Sequence, residues 1–164
     1  MRAATSVRTL PLLLAAALAC TPVAADEPSA KALVEQSQAA MRNDPEQSRA
    51  LAEQALVALV RQPDPDVELL ARIQLCDYFG ERDRPVAEQH LKAGQSLLPR
   101  TTQPALAARL LECEGDLHEL AGDTTAAMTL YRRAVAVAEK AGDDEVLANS
   151  LYQLGYLRGV RGEL

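Results

Sequence analysis

From about Ser29 onward, apolar residues recur every three or four positions. That period predicts helices, because 3.6 residues per turn returns positions i, i+3, i+4 and i+7 to one face. Short turn signals interrupt it at NDP (43–45), RQPDPD (61–66), GERDRP (80–85), LPRTTQP (98–104), AGD (121–123) and AGDD (141–144). The pattern therefore predicts seven helices of about 12–18 residues, short connections and no strand. Gly122 and Gly142 stand where helices end, in the left-handed conformation that glycine adopts at least cost. The acids after them are placed to cap the helices that follow.

The turns are evenly spaced, which points to internal repetition. A step of 40 residues carries Leu75 to Gly115 to Gly155, and Ala71 to Leu111 to Leu151. The same step carries Ala87 to Ala127, Leu91 to Tyr131, Gly94 to Ala134 and Gly122 to Gly162. A more degenerate copy runs from Ser29 to about Val60, with Ala52 and Ala55 on its second helix. Small residues at Gly115, Ala127 and Ala134 let two antiparallel helices approach at the short end of the range of about 8–10 Å, with Tyr131 filling the space beside them. One such hairpin cannot bury its apolar face alone, so hairpins of this kind stack into a solenoid.

The series Leu111, Gly115, Ala127, Tyr131, Ala134 resembles the signature of the tetratricopeptide-repeat family, and Leu151, Leu154 and Gly155 repeat its opening. The resemblance implies an all-α fold, a right-handed superhelical solenoid of antiparallel helix pairs, with about three and a half repeats over residues 26–164. Two features depart from the family: the 40-residue period exceeds the usual period of about 34, and His118 stands where Tyr is usual. A HEAT-like array is the rival by period but lacks the Gly–Ala–aromatic–Ala order. An export signal followed by degenerate repeats resembles the periplasmic sensor region of bacterial receptors. That resemblance implies a protein- or peptide-binding scaffold upstream of a transmembrane helix and an output domain, most often a diguanylate cyclase and sometimes a histidine kinase. A free-standing periplasmic adaptor or lipoprotein is the alternative.

Composition agrees with a helical core. Aromatic residues are only 3% of the chain, with one Phe and no Trp, whereas apolar residues are 48%. Such a core must be made of small aliphatic contacts, because strands favour aromatic and β-branched side chains. Residues 1–25 read as a leader: Arg2 and Arg8 at the start, an apolar run from Leu10 to Ala19 too short to span a bilayer, and Val23-Ala24-Ala25 before Asp26. Cleavage after Ala25 is the primary reading. Ala17-Leu18-Ala19-Cys20 also loosely resembles a lipoprotein box, with Cys20 as the lipidated residue, and an uncleaved anchor is the third reading. With Arg2 and Arg8 removed, fifteen basic residues face 23 acidic ones, a formal charge of −8. Such a chain repels phosphate backbones and anionic lipid, so nucleic acid is not expected as a partner. Membrane contact would come through a lipid anchor or a downstream helix.

No Ser–His–Asp order, Gly-rich phosphate loop or zinc-ligand spacing is present, so no catalytic, cofactor or metal site is expected, and no enzyme activity. His90 and His118 read as solvated helix residues. Cys76 and Cys113 fall on first helices of neighbouring repeats, 37 residues apart. A bridge is conceivable there, but helix axes about 8–10 Å apart favour two buried free thiols over a bond that needs Cα atoms within about 7 Å. In the resembled family the first helices line a concave groove. The matching face here is Arg72, Cys76 and Phe79, then Arg109, Glu112, Asp116 and Glu119, then Asn149, Tyr152 and Tyr156. It would form an amphoteric groove for a peptide or partner helix, against the plainer reading of a solvated face. Finally, Leu147, Leu151, Leu154 and Leu157 predict an apolar stripe on the last helix with no partner beyond it. This suggests either a longer parent protein, a homodimer through that helix, or a helix that is itself the cap.

Overall fold

A computed structural model describes residues 27–163. The leader, its cleavage site and Cys20 lie outside those residues. Among the described residues there are seven helices, α1 (Ala30–Ala40), α2 (Pro45–Leu59), α3 (Pro65–Gly80), α4 (Arg84–Leu97), α5 (Ala105–Leu120), α6 (Thr124–Ala141) and α7 (Asp144–Val160), with one 3₁₀ turn at Leu98–Arg100. No strand is present among the described residues. Residues 27–163 are all-α.

Helix starts follow the sequence closely. Asp44, Asp83, Asp123 and Asp143 each accept a hydrogen bond from the backbone N–H three residues on, and Asp64 accepts from Asp66 and Val67. Each bond satisfies a first-turn amide that has no partner inside the helix. Pro45 and Pro65 occupy first helical positions, where a missing N–H costs nothing. Gly142 closes α6 at φ 71°, in the left-handed region.

Each short turn folds a helix back on its predecessor, so α1 packs with α2, α3 with α4, and α5 with α6. The odd-numbered helices also touch one another in series, α1 with α3, α3 with α5, and α5 with α7, while each even helix packs on the odd helix that follows it. The positions that recur along the sequence are the ones in closest contact. Ala87 and Ala127 are fully buried, as are Ala55 and Ala134. Tyr131 is fully buried over Gly115: a Cβ added at Gly115 would lie 2.6 Å from the ring carbon Cε1. The first pair uses a polar contact at its crossing, where the buried Ser37 hydroxyl donates to the Ser48 carbonyl at 2.8 Å.

Two expectations change. The leucines of α7 do not form one bare stripe. Leu154 and Leu157 bury against Ala127, Met128 and Tyr131 of α6, and Leu147 packs partly against the alanines of α5 and α6, while Leu151 stays exposed. The buried face of α7 runs through Val146, Ser150, Leu154 and Leu157, and Leu151 is turned about 100° from Ser150 on the helix. The open apolar face is instead Leu151, Tyr152, Tyr156 and Val160. Gly155, the counterpart of Gly115, has no packing role here, since a Cβ there would meet nothing within 4 Å.

Candidate functional site

The odd helices enclose a concavity of about 860 Å³. Its α3 side is Leu70, Gln74 and Asp77, its α5 side Ala105, Arg109 and Glu112, and its α7 side Val146, Ala148 and Asn149, with Gln38 of α1 and Met41 and Arg42 just after it. The start of α5 is held against the start of α3, because Thr102 donates to Asp66 from its backbone N–H at 2.8 Å and from its hydroxyl at 2.5 Å. Pro104, the residue at the N-cap of α5, makes no side-chain capping bond, and the first-turn amides of Leu106 and Ala107 donate to the Gln103 and Pro104 carbonyls instead.

Electrostatics divide the site. Arg109 is committed to the α7 end, at 3.0 Å from Glu145 and 3.7 Å from Asp143. One oxygen of Glu112 accepts from Ser150 Oγ at 2.6 Å and from Asn149 Nδ2 at 3.1 Å, tying α5 to α7. Burial nevertheless raises the Glu112 pKa above the usual carboxylate range. Asp77 is exposed, but into a concavity rather than onto a convex surface. The surrounding walls strip water from it and the charges of Asp116 and Glu112 add to the effect, so its pKa is pushed upward, with Arg109 opposing.

A second concavity of about 380 Å³ shares Asp77 and continues between the C-terminal halves of α3 and α5, past Asp116 and Glu119. There the Tyr131 hydroxyl lies 2.5 Å from Asp116 and 2.9 Å from Glu119. A phenol has one proton, which Tyr131 donates to Asp116 and Glu119 in turn or shares between them. Burial raises the Asp116 pKa, the Tyr131 hydroxyl lowers it and Glu119 raises it again, so that it stands at about 6.

Of the candidate groove residues, Arg109, Glu112 and Asn149 line the main concavity, and Asp116 and Glu119 line the second. The other expected groove residues do not. Arg72 and Phe79 turn toward α4, where Arg72 Nη1 lies 3.4 Å from His90 Nδ1 and the Phe79 ring stacks on His90 at 5.9 Å. His90 is therefore part of a half-buried stack rather than a solvated residue. Burial and then the neighbouring Arg72 charge hold its pKa below the usual histidine value. Tyr152 and Tyr156 point away from the concavity, 69% and 53% exposed.

The difference in placement is one of register. Leu70 and Asp77 lie 39 residues before Arg109 and Asp116, not 40, and one residue turns a helix by about 100°. The 39-residue step would have found Leu70 and Asp77, the α3 residues that sequence reasoning missed. It pairs the polar Gln74 with the apolar Cys113, so no repeat signal marked Gln74.

The free-thiol expectation is also overturned. Cys76 and Cys113 are joined as a disulfide with Cα atoms 6.5 Å apart. Helix axes lie farther apart than this, but two Cα atoms on facing sides of neighbouring helices project toward each other, so axis spacing was the wrong measure. Both sulfurs and the Asp77 carboxylate lie within 4.8 Å of one another. With the sulfurs bonded to each other, neither offers a thiolate to a metal.

No helix among the described residues is long and apolar enough to cross a membrane. No protein-family model matches the chain, and no curated protein or solved structure matches it.

Proposed function

We propose that this chain is a tetratricopeptide-like solenoid that holds a peptide or a partner helix in the concavity between its odd helices. The observation that carries the reading is the 860 Å³ concavity itself, walled by four helices with polar groups set among apolar ones. Binding sites combine such concavity with a few convergent polar groups. The 40-residue correspondence of buried small residues, and the serial contact of odd helices, support the solenoid. No catalytic group is needed for this role. The leader-like first 25 residues and the resemblance to receptor sensor regions support a periplasmic setting for the scaffold, as the sensing end of a signalling protein such as a diguanylate cyclase. A histidine-kinase sensor and a free-standing adaptor are the alternatives.

Selection of a displayed random peptide library against the chain tests the binding role. Peptides whose capture is lost in an Asn149→Trp variant, which fills the groove mouth, support it. A library that yields no groove-dependent binder refutes it. The intact mass of the native protein from its own cells tests the context: a mass well above that of residues 26–164 supports a receptor, and a match to those residues replaces it with a free-standing adaptor.

A further inference from the structure

The main concavity contains a polar atom that the protein leaves unanswered. Gln74 is 8% exposed, and its Oε1 is buried without a hydrogen-bond partner. It lines the concavity on α3, one turn before Asp77 and facing the same space as Glu112. A buried acceptor without a donor costs about 1–3 kcal/mol, and in native proteins such an atom calls for an explanation. Around it the charges are unbalanced. Asp77, Glu112, Asp143 and Glu145 line the space, against Arg109, which is occupied by Asp143 and Glu145, and Arg42 at the exposed rim.

Resting on the peptide-binding reading above, we propose that the pocket formed by Gln74, Asp77 and Glu112 receives an arginine side chain of the bound peptide. Between them the three groups offer two carboxyl groups and an amide oxygen to which no donor is committed, beside the NH2 of the same Gln74 amide. A guanidinium carries five N–H donors and no acceptor, so it can serve the buried amide oxygen and a carboxylate at the same time. It is also more weakly hydrated than an ammonium, which favours it over lysine where the acceptor lies below the surface. A neutral peptide would leave Asp77 and the Gln74 oxygen as they are. An acidic one would face like charge, which discriminates against it.

The test is an NMR titration of the isotope-labelled full chain with Nα-acetyl-arginine amide, its neutral isostere Nα-acetyl-citrulline amide and the lysine analogue. Arginine amide should give saturable shifts at the Gln74 side-chain amide and at the Asp77 and Glu112 backbone. Citrulline should bind at least about tenfold more weakly, as expected when a charge-assisted bond is lost. Lysine should fall between them. Asp77→Asn should weaken arginine binding by about tenfold and Gln74→Leu by a smaller factor, both with the thermal midpoint retained. Citrulline binding as well as arginine, or arginine binding indifferent to both substitutions, overturns the proposal. The peptide selection separates the two readings. Groove-dependent peptides enriched in arginine support both. Groove-dependent peptides without that enrichment leave the scaffold standing and overturn the arginine pocket.

Discussion

Gly115 and Gly155 occupy corresponding places in α5 and α7, each four residues after a leucine, and their surroundings are opposite. Above Gly115 lies the fully buried ring of Tyr131, held at its hydroxyl by Asp116 and Glu119, and there is no room for a methyl group. Above Gly155 there is open space, bordered by the exposed Leu151, Tyr152 and Tyr156. The helices differ in the same way. α5 is packed by α3, α4, α6 and α7 and is bonded to α3 through Cys113, whereas α7 is packed chiefly by α6 and α5. The same local sequence is thus a packing device in one helix and an idle feature in the other. A small residue matters only where a second helix comes close enough to use it.

The comparison breaks most sharply at Tyr131. Replacing it with Ala should cost about 3–5 kcal/mol, the range for deleting a buried aromatic ring, read as a lower urea midpoint. Tyr156→Ala, with its ring exposed on α7, should change stability by less than about 0.5 kcal/mol. Equal costs at the two sites would mean that the open face of α7 is covered in solution.

Reduction of the Cys76–Cys113 bond should lower stability by about 2–4 kcal/mol, because it frees a loop of 37 residues in the unfolded chain. Hydrogen exchange should then quicken at the α3–α5 contact, with the α6–α7 contact least affected. An unchanged thermal midpoint with and without reductant would show that the bond is absent in solution.

Asp116 gives the α5–α6 pair a pH dependence with a definite sign. Its folded pKa of about 6 lies above the ordinary 3.8, so the folded protein holds this proton more tightly than the unfolded chain does. Its contribution is fully present below about pH 4, falls as the pH rises through 6, and amounts to about 2–3 kcal/mol. Glu112 and Glu119 on the same helix, Tyr131 on α6 and Asp77 on α3 are the titratable groups around it. Asp116→Asn should flatten this part of the stability profile, as measured by urea unfolding at a series of pH values. A profile identical to that of the parent would assign the effect elsewhere.

The smallest effects have opposite signs. Gly115→Ala should destabilise by about 1–3 kcal/mol, because the new methyl overlaps a ring that cannot move away. Gly155→Ala should stabilise by about 0.5–1 kcal/mol, since helix propensity improves and nothing is displaced. Loss of stability at Gly155 would point to an unseen neighbour on that face.

Much of this architecture is local and therefore legible. The seven helices, their aspartate caps and the turn at Gly142 follow from neighbours in the chain, since capping and periodicity are decided within a few residues. The closeness of Gly115 and Tyr131 was legible too, because a 16-residue separation across one turn leaves little choice of contact. The site was less so. Of the residues assigned to one groove face, Arg109, Glu112 and Asn149 line the concavity, whereas Arg72 and Phe79 meet α4.

What the sequence determined by itself is the helical framework, its boundaries and the small residues at which paired helices meet. What only the tertiary structure decided is rotation. Which face of α3 looks into the concavity, that Cys76 meets Cys113, and that the oxygen of Gln74 is left without a donor all depend on how whole helices turn against each other. A single residue of register changes that turn by about 100°, and periodicity fixes the width of an apolar face far better than its direction.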